Sequence, residues 1–211
     1  MYAVHIEEKA FMGIFLAAIE AFPSKFHGSR KPNGSSPEGE VHGLLFGQRI
    51  MQKNGQIICN VSLAVPNQMV LDRTADSISV ASRHIERTRE AAELFPRYSF
   101  LGCFHSHPYP AEEFKKCFSA EPSETDQDSA ISLAEDEGLE MLDLIFSLTR
   151  LKRHTCTPHQ FPKPHMLHAC LGNYKYTLAC YRAVSSENLE HYGAVDHLIC
   201  KSAGRWPPPP D

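Results

Sequence analysis

Two short turn sequences constrain the fold of this chain more than any other feature. Lys53-Asn54-Gly55 separates two strand-like runs, 41–48 and 56–65, and Gly172-Asn173 separates another two, 166–171 and 174–183. Asn and Gly adopt positive φ at low cost, which a tight hairpin needs if its twist is to match its strands. Each turn therefore predicts an antiparallel pair, and the chain is organised around a sheet. Two more runs extend it. Residues 98–104 (YSFLGCF) are aromatic-rich and short, and 141–149 (MLDLIFSLT) are almost continuously apolar, so both read as buried strands.

Helices are interleaved with these strands. Over 7–22, Phe11, Ile14, Phe15, Ala18 and Phe22 fall on one stripe, and Pro23 ends the run. A second helix is predicted from an Asp76 cap through Ile78, Ala81, Ile85, Ala92 and Phe95 to Pro96, and a third from Ser123 to about Glu135. The alternation predicts a mixed α/β (α+β) domain with a largely antiparallel central sheet flanked by helices. The chain has 211 residues, 42% of them hydrophobic, and no internal repeat, which suits a single domain over 1–200. Polar, Gly/Pro-rich loops are expected at 24–39, 108–122 and 151–165. The tail, 201–211, carries Trp206 and Pro207–Pro210 and is expected to be extended unless a partner holds it.

Charge and cysteine content narrow the function classes. With 21 basic and 25 acidic side chains, a net charge of −4 lacks the positive excess that binding to a nucleic-acid backbone requires. No stretch approaches the ~18 apolar residues of a membrane span, and no leader sequence is visible, so a cytoplasmic location without membrane attachment is expected. The seven cysteines are odd in number and form no C-x-x-C pair, which fits reduced thiols. Histidine is the unusual component, with twelve.

Chemistry concentrates at Phe104-His105-Ser106-His107-Pro108. Residues two apart on a strand share a face, so His105 and His107 can present two imidazole nitrogens to one point. Pro122-Ser123-Glu124-Thr125-Asp126 adds a carboxylate at the start of a helix. Its S-x-x-D pattern also suits a cap by Ser123, and the two readings are compatible. Two His nitrogens and one Asp oxygen are the donor set of a catalytic zinc site with its fourth position open. Hydrolysis there needs a base to take a proton and return it to the leaving group. Glu38 and Glu40, both just before the strand at 41–48, are the candidates, and spacing alone does not choose between them.

Glu40-x-x-Gly43-Leu44-Leu45-x-Gly47, His105-Ser106-His107-Pro108 and Ser123-x-x-Asp126, in that order, resemble the pattern of the JAMM (Jab1/MPN/Mov34) zinc metalloproteases, and within that family its bacterial deubiquitinase-like members. The order of elements is similar over about residues 5–185. The resemblance implies a cytidine-deaminase-like JAMM/MPN architecture and one catalytic Zn2+ held by His105, His107 and Asp126. It further implies Glu40 as general acid/base and Ser123 as the group stabilising the oxyanion, and it makes Glu38 a bystander. The chain departs from the family at 108–122 (PYPAEEFKKCFSAEP), which is longer than usual between the second His and the Ser and is expected to be an insertion shaping access to the metal.

What the resemblance implies about function is a peptidase or isopeptidase that cuts after the C-terminus of a ubiquitin-like protein, in deconjugation or precursor processing. Operon-encoded activating and conjugating enzymes, including those of antiphage defence, are the expected partners. Processing of a sulfur-carrier-like protein and a catalytically silent scaffold of the same fold are the competing readings. Elsewhere, Cys103 is expected to be a buried strand cysteine rather than a thiolate, Cys117 lies in the insertion, and His42 is expected to be packed. His154, Cys156, His159, His165 and His168 suggest a second, structural zinc. Their spacing fits no established finger, and Pro158, Pro162 and Pro164 favour an irregular groove-lining loop over 151–165.

Overall fold

The computed structural model describes residues 1–23, 39–68, 70–73, 78–80, 82–113, 118, 120–155, 157–186 and 189–203. In chain order the elements are β1 (Tyr2–Ile6), α1 (Glu8–Glu20), β2 (His42–Met51), β3 (Ile57–Pro66), β4 (Val70–Arg73), β5 (Ile78–Val80), α2 (Ser82–Glu93) and β6 (Ser99–Tyr109). They continue with α3 (Glu124–Glu137), β7 (Met141–Arg150), β8 (Thr157–Lys163), β9 (Met166–Leu171), β10 (Tyr174–Ser186), β11 (Leu189–Ala194) and β12 (His197–Ile199).

Both turn signals form hairpins. Gly55 and Gly172 take left-handed φ of 78° and 61°, joining β2 to β3 and β9 to β10. The main sheet runs β12-β1-β3-β2-β6-β7-β10-β9-β8, with β11 also on β10, while β4 and β5 form a separate pair. Six of its pairings are antiparallel. Three are parallel, β1 with β3, β1 with β12, and β6 with β7, so the sheet is mixed. The β6–β7 pairing is parallel because α3 carries the chain back between them, as a parallel neighbour requires.

Three expectations are corrected. The second helix starts at Ser82, because Ile78 belongs to β5 and pairs with Arg73. The strand at 98–104 does not stop before the histidines but continues to Tyr109 alongside β7. The loop at 151–165 contains a strand, β8, whose register to β9 is broken at both intervals between its pairs. It is an edge strand, and neither Pro158 nor Pro162 is among its paired positions, so their missing N–H groups are tolerated. Residues 24–38, the proposed cap Asp76, Cys117, Cys156 and the tail from 204 lie outside the described residues.

The sheet is covered on both faces. Phe11 and Phe15 of α1 pack on Phe146 and Tyr176, with ring centroids 5.5–6.5 Å apart. On the opposite face, Ala130 and Ala134 let α3 lie close to Met141 and Ala183. α2 buries no side chain fully; its Ile85 and Ala92 are half-covered, and Arg89 pairs with Glu137 of α3 at 2.5 Å. Residues 141–149 of β7 are all buried, so alternation splits them between environments. Leu142, Leu144, Phe146 and Leu148 enter the core beneath α1, leaving Asp143, Ile145, Ser147 and Thr149 on the other face. No described helix is long and apolar enough to cross a membrane.

Candidate metal centre

The pairing of β6 brings its two histidines to one place. His105 pairs with His42 of β2 and with Ile145 of β7, and His107 with Ser147, which fixes both on the face opposite the α1 core. Their ring centroids are 4.8 Å apart. Two glycines make the crowded pairing possible. A Cβ at Gly43 would overlap the Phe104 ring and the Val65 carbonyl, and one at Gly102, where φ is 142°, would overlap the Leu142 backbone. The spaced glycine in the motif thus serves close packing beside His105.

Asp126 is delivered by the first turn of α3. Ser123 caps the helix, its Oγ accepting from the Asp126 N–H at 3.2 Å. In return Asp126 Oδ2 accepts from the Ser123 backbone N–H at 2.8 Å and its hydroxyl at 2.7 Å, completing a capping box. The cap locks the carboxylate so that Oδ1 lies 3.6 Å from His105 Nε2 and Oδ2 lies 3.8 Å from His107 Nε2. The cap and ligand readings of this motif are therefore one geometry, and the longer 108–122 segment does not carry Asp126 away from the histidines.

These donors suit a cation. One ligand atom from each of His105, His107 and Asp126 lies within 4.8 Å of the others, the group among the described residues that could hold a metal ion. These separations are short enough for one cation to lie among the three groups. His105 Nε2 is buried without a hydrogen-bond partner among the described residues, although a buried nitrogen normally finds one. A cation between the three groups would satisfy it.

Glu40 adjoins this set. Its carboxylate Oε1 lies 3.8 Å from His107 Nε2, and the residue is only 8% exposed. Sequence alone does not show how it is held there. Ser106, the residue between the two histidines, points to the other face and is buried. Its Oγ accepts from the Val41 N–H at 2.9 Å while its own N–H donates to the Val41 carbonyl at 2.8 Å. The strand carrying the two histidines thereby grips the residue next to Glu40. Glu38 lies outside the described residues.

Electrostatics separate the two histidines. Burial pulls the His105 imidazolium down, but the carboxylates of Asp143, Asp126 and Glu40 outweigh it and raise it to about 9. Burial and then the charge on His105 push His107 down to about 4. Asp126 is held below the usual carboxylate range against its own burial by His105 and by its bonds from Ser123. The pocket gathers three carboxylates around two imidazoles, a net negative field that favours a cation. His42 is a packed neighbour: its Nδ1 is 2.7 Å from Asn67 Nδ2, and burial followed by His105 lowers it to about 4. Cys103 is half-buried, and burial followed by Asp143 pushes its thiol up to about 12, away from thiolate chemistry.

Other expected features resolve differently. His154, His159 and His165 form no metal-binding group among the described residues. His165 lies against the Tyr181 ring, and His168 Nδ1 is 2.8 Å from Thr177 Oγ1. Of the 108–122 segment, Phe118 packs edge-on to His168 beneath the Lys175 ammonium, and the Ala120 carbonyl accepts from Tyr181 Oη at 3.1 Å. The sequence reading missed Asp143 and Tyr192. Asp143 Oδ1 is 3.3 Å from His105 Nδ1, and its Oδ2 accepts from Tyr192 Oη at 2.7 Å. The available signal was a lone charge inside an otherwise apolar strand. No protein-family profile matches the chain, and no curated protein matches it significantly.

Proposed function

We propose that this chain is a zinc-dependent isopeptidase of the JAMM (Jab1/MPN) type, cutting the bond after the C-terminus of a ubiquitin-like protein. The observation that carries this reading is the meeting of His105, His107 and Asp126 around a partnerless buried nitrogen, with Glu40 beside them. On this reading the mixed, helix-flanked sheet is the family's cytidine-deaminase-like architecture. Identification of the metal as zinc rests on the donor set, two imidazoles and one carboxylate.

His105, His107 and Asp126 would hold the zinc, which when bound acts as a Lewis acid and activates water near neutral pH. The chain's own groups do the rest. Glu40 takes the proton released on attack and passes it to the departing amine, a transfer that requires a carboxylate fixed within reach of both. Ser123, bonded to Asp126 at the edge of the site, would serve as hydroxyl donor to the attacked carbonyl. In the resting geometry its proton is directed at Asp126, so donation to the developing oxyanion requires a rotation of that hydroxyl alone.

The test is incubation of the purified protein with a ubiquitin-like fusion or isopeptide conjugate, with and without chelator. Cleavage after the terminal residue of the ubiquitin-like part, lost with chelator and restored by zinc, supports the reading. Cleavage that survives metal removal overturns it, as does a zinc-loaded protein that cuts none of these bonds.

A further inference from the structure

Asp143 is a charged side chain with 4% exposure on the central strand β7. Such a group is expensive to bury unless its lone pairs are met. Both of its oxygens are engaged. Oδ1 faces His105 Nδ1 at 3.3 Å, and Oδ2 accepts from Tyr192 Oη at 2.7 Å. The Tyr192 ring is held in turn by stacking on Tyr181, with centroids 5.4 Å apart and planes 18° from parallel. A buried ion pair serving stability alone would end at Nδ1. Here the other nitrogen, Nε2, is buried, partnerless, and 3.6 Å from Asp126. The imidazole is thus gripped on one side and offered on the other.

We infer that Asp143 and Tyr192 are positioning residues of the metal centre: Asp143 takes the Nδ1–H of His105, Tyr192 fixes the carboxylate, and Nε2 is thereby selected as the ligand atom. The inference rests on the metal-site reading above and adds to it a fixed tautomer and a route by which β11 and β10 act on the site. A carboxylate behind a ligating imidazole sets the ring's orientation and strengthens it as a donor, and losing such a partner typically weakens metal binding about 10–100-fold. Burial and then the Asp143 charge push the Tyr192 hydroxyl strongly up, so it stays a donor. Tyr181 donates to the Ala120 carbonyl, so the segment leading into the Ser123 cap is tied to the same network.

The experiment is zinc titration of the metal-free protein against a chromogenic chelator for the wild type, His105→Ala, Asp143→Asn and Tyr192→Phe, with circular dichroism to confirm folding. Long-range proton–nitrogen NMR of the zinc-loaded wild type reads the tautomer. The expected result is tight binding by the wild type, severe loss in His105→Ala, a loss of about 10–100-fold in Asp143→Asn and a smaller loss in folded Tyr192→Phe, with His105 protonated at Nδ1. If the wild type binds zinc but Asp143→Asn and Tyr192→Phe match it, or His105 is protonated at Nε2, the positioning role is overturned while the metal reading stands. If the wild type binds no zinc, the metal reading falls and takes the positioning role with it.

Discussion

The two faces of β7 differ in what their burial is for. Leu142, Leu144, Phe146 and Leu148 meet α1 in an aromatic-rich core where Phe11, Phe15, Phe146 and Tyr176 interlock. On the other face Asp143, Ser147 and Thr149 are just as inaccessible, yet Ser147 and Thr149 have hydroxyls without a partner among the described residues. One face removes apolar area from water and stabilises the fold. Its opposite withholds part of that gain by burying polar groups, and it is the one facing His105 and His107. A single strand thus divides the apolar core from the candidate metal site by alternation alone.

Four substitutions or conditions would break or sharpen that division. Glu40→Gln should lower cleavage of a ubiquitin-like fusion about a thousandfold, the scale of a lost general base, while zinc content and thermal unfolding stay as in the wild type. A parallel loss of zinc would place Glu40 among the ligands instead. Phe146→Ala should destabilise by about 3–5 kcal/mol in denaturant unfolding, and the molecules that remain folded should keep their full complement of zinc. Ser147→Ala should raise stability by up to about 1 kcal/mol, because an unsatisfied buried hydroxyl is removed; a measured loss would mean that its oxygen is satisfied in the folded protein.

The smallest effect concerns pH. His168 is held below the ordinary histidine range by burial and then by the Lys175 charge, so the folded state favours its neutral form. Its contribution is present above about pH 6.5 and is lost as pH falls below that value. Thermal unfolding of the wild type should therefore weaken over this acid range slightly more than that of His168→Gln, and identical pH profiles would remove His168 from the account.

Legibility in the sequence followed the range of the interaction. Hairpins at Gly55 and Gly172 could be read because their signal lies within a few residues, and the Ser123–Asp126 box for the same reason. β1 and β12 are short strands whose pairing partners lie far along the chain, and nothing local marks them; β11 pairs with β10 directly before it, but no glycine stands between the two runs to signal a turn. Ile78 fits a helical pattern in sequence because it stands three residues before Ala81, a spacing that one apolar residue can meet whatever its own conformation. At the site, His105, His107 and Asp126 carry recognisable spacing. Asp143 and Tyr192 do not, because their meaning depends on a register running from β6 through β7 and β10 to β11 that only the assembled sheet supplies.

Ser106 gives the arrangement a mechanical character. Its two bonds to Val41 rivet the approach to β2 onto the strand that bears both histidines. Glu40 therefore does not ride on an independent loop; whatever displaces β6 carries this carboxylate with it. The spacing of Glu40 from His107 is thereby set within the sheet, by the pairing of β2 with β6, rather than by the segments that lead away from it.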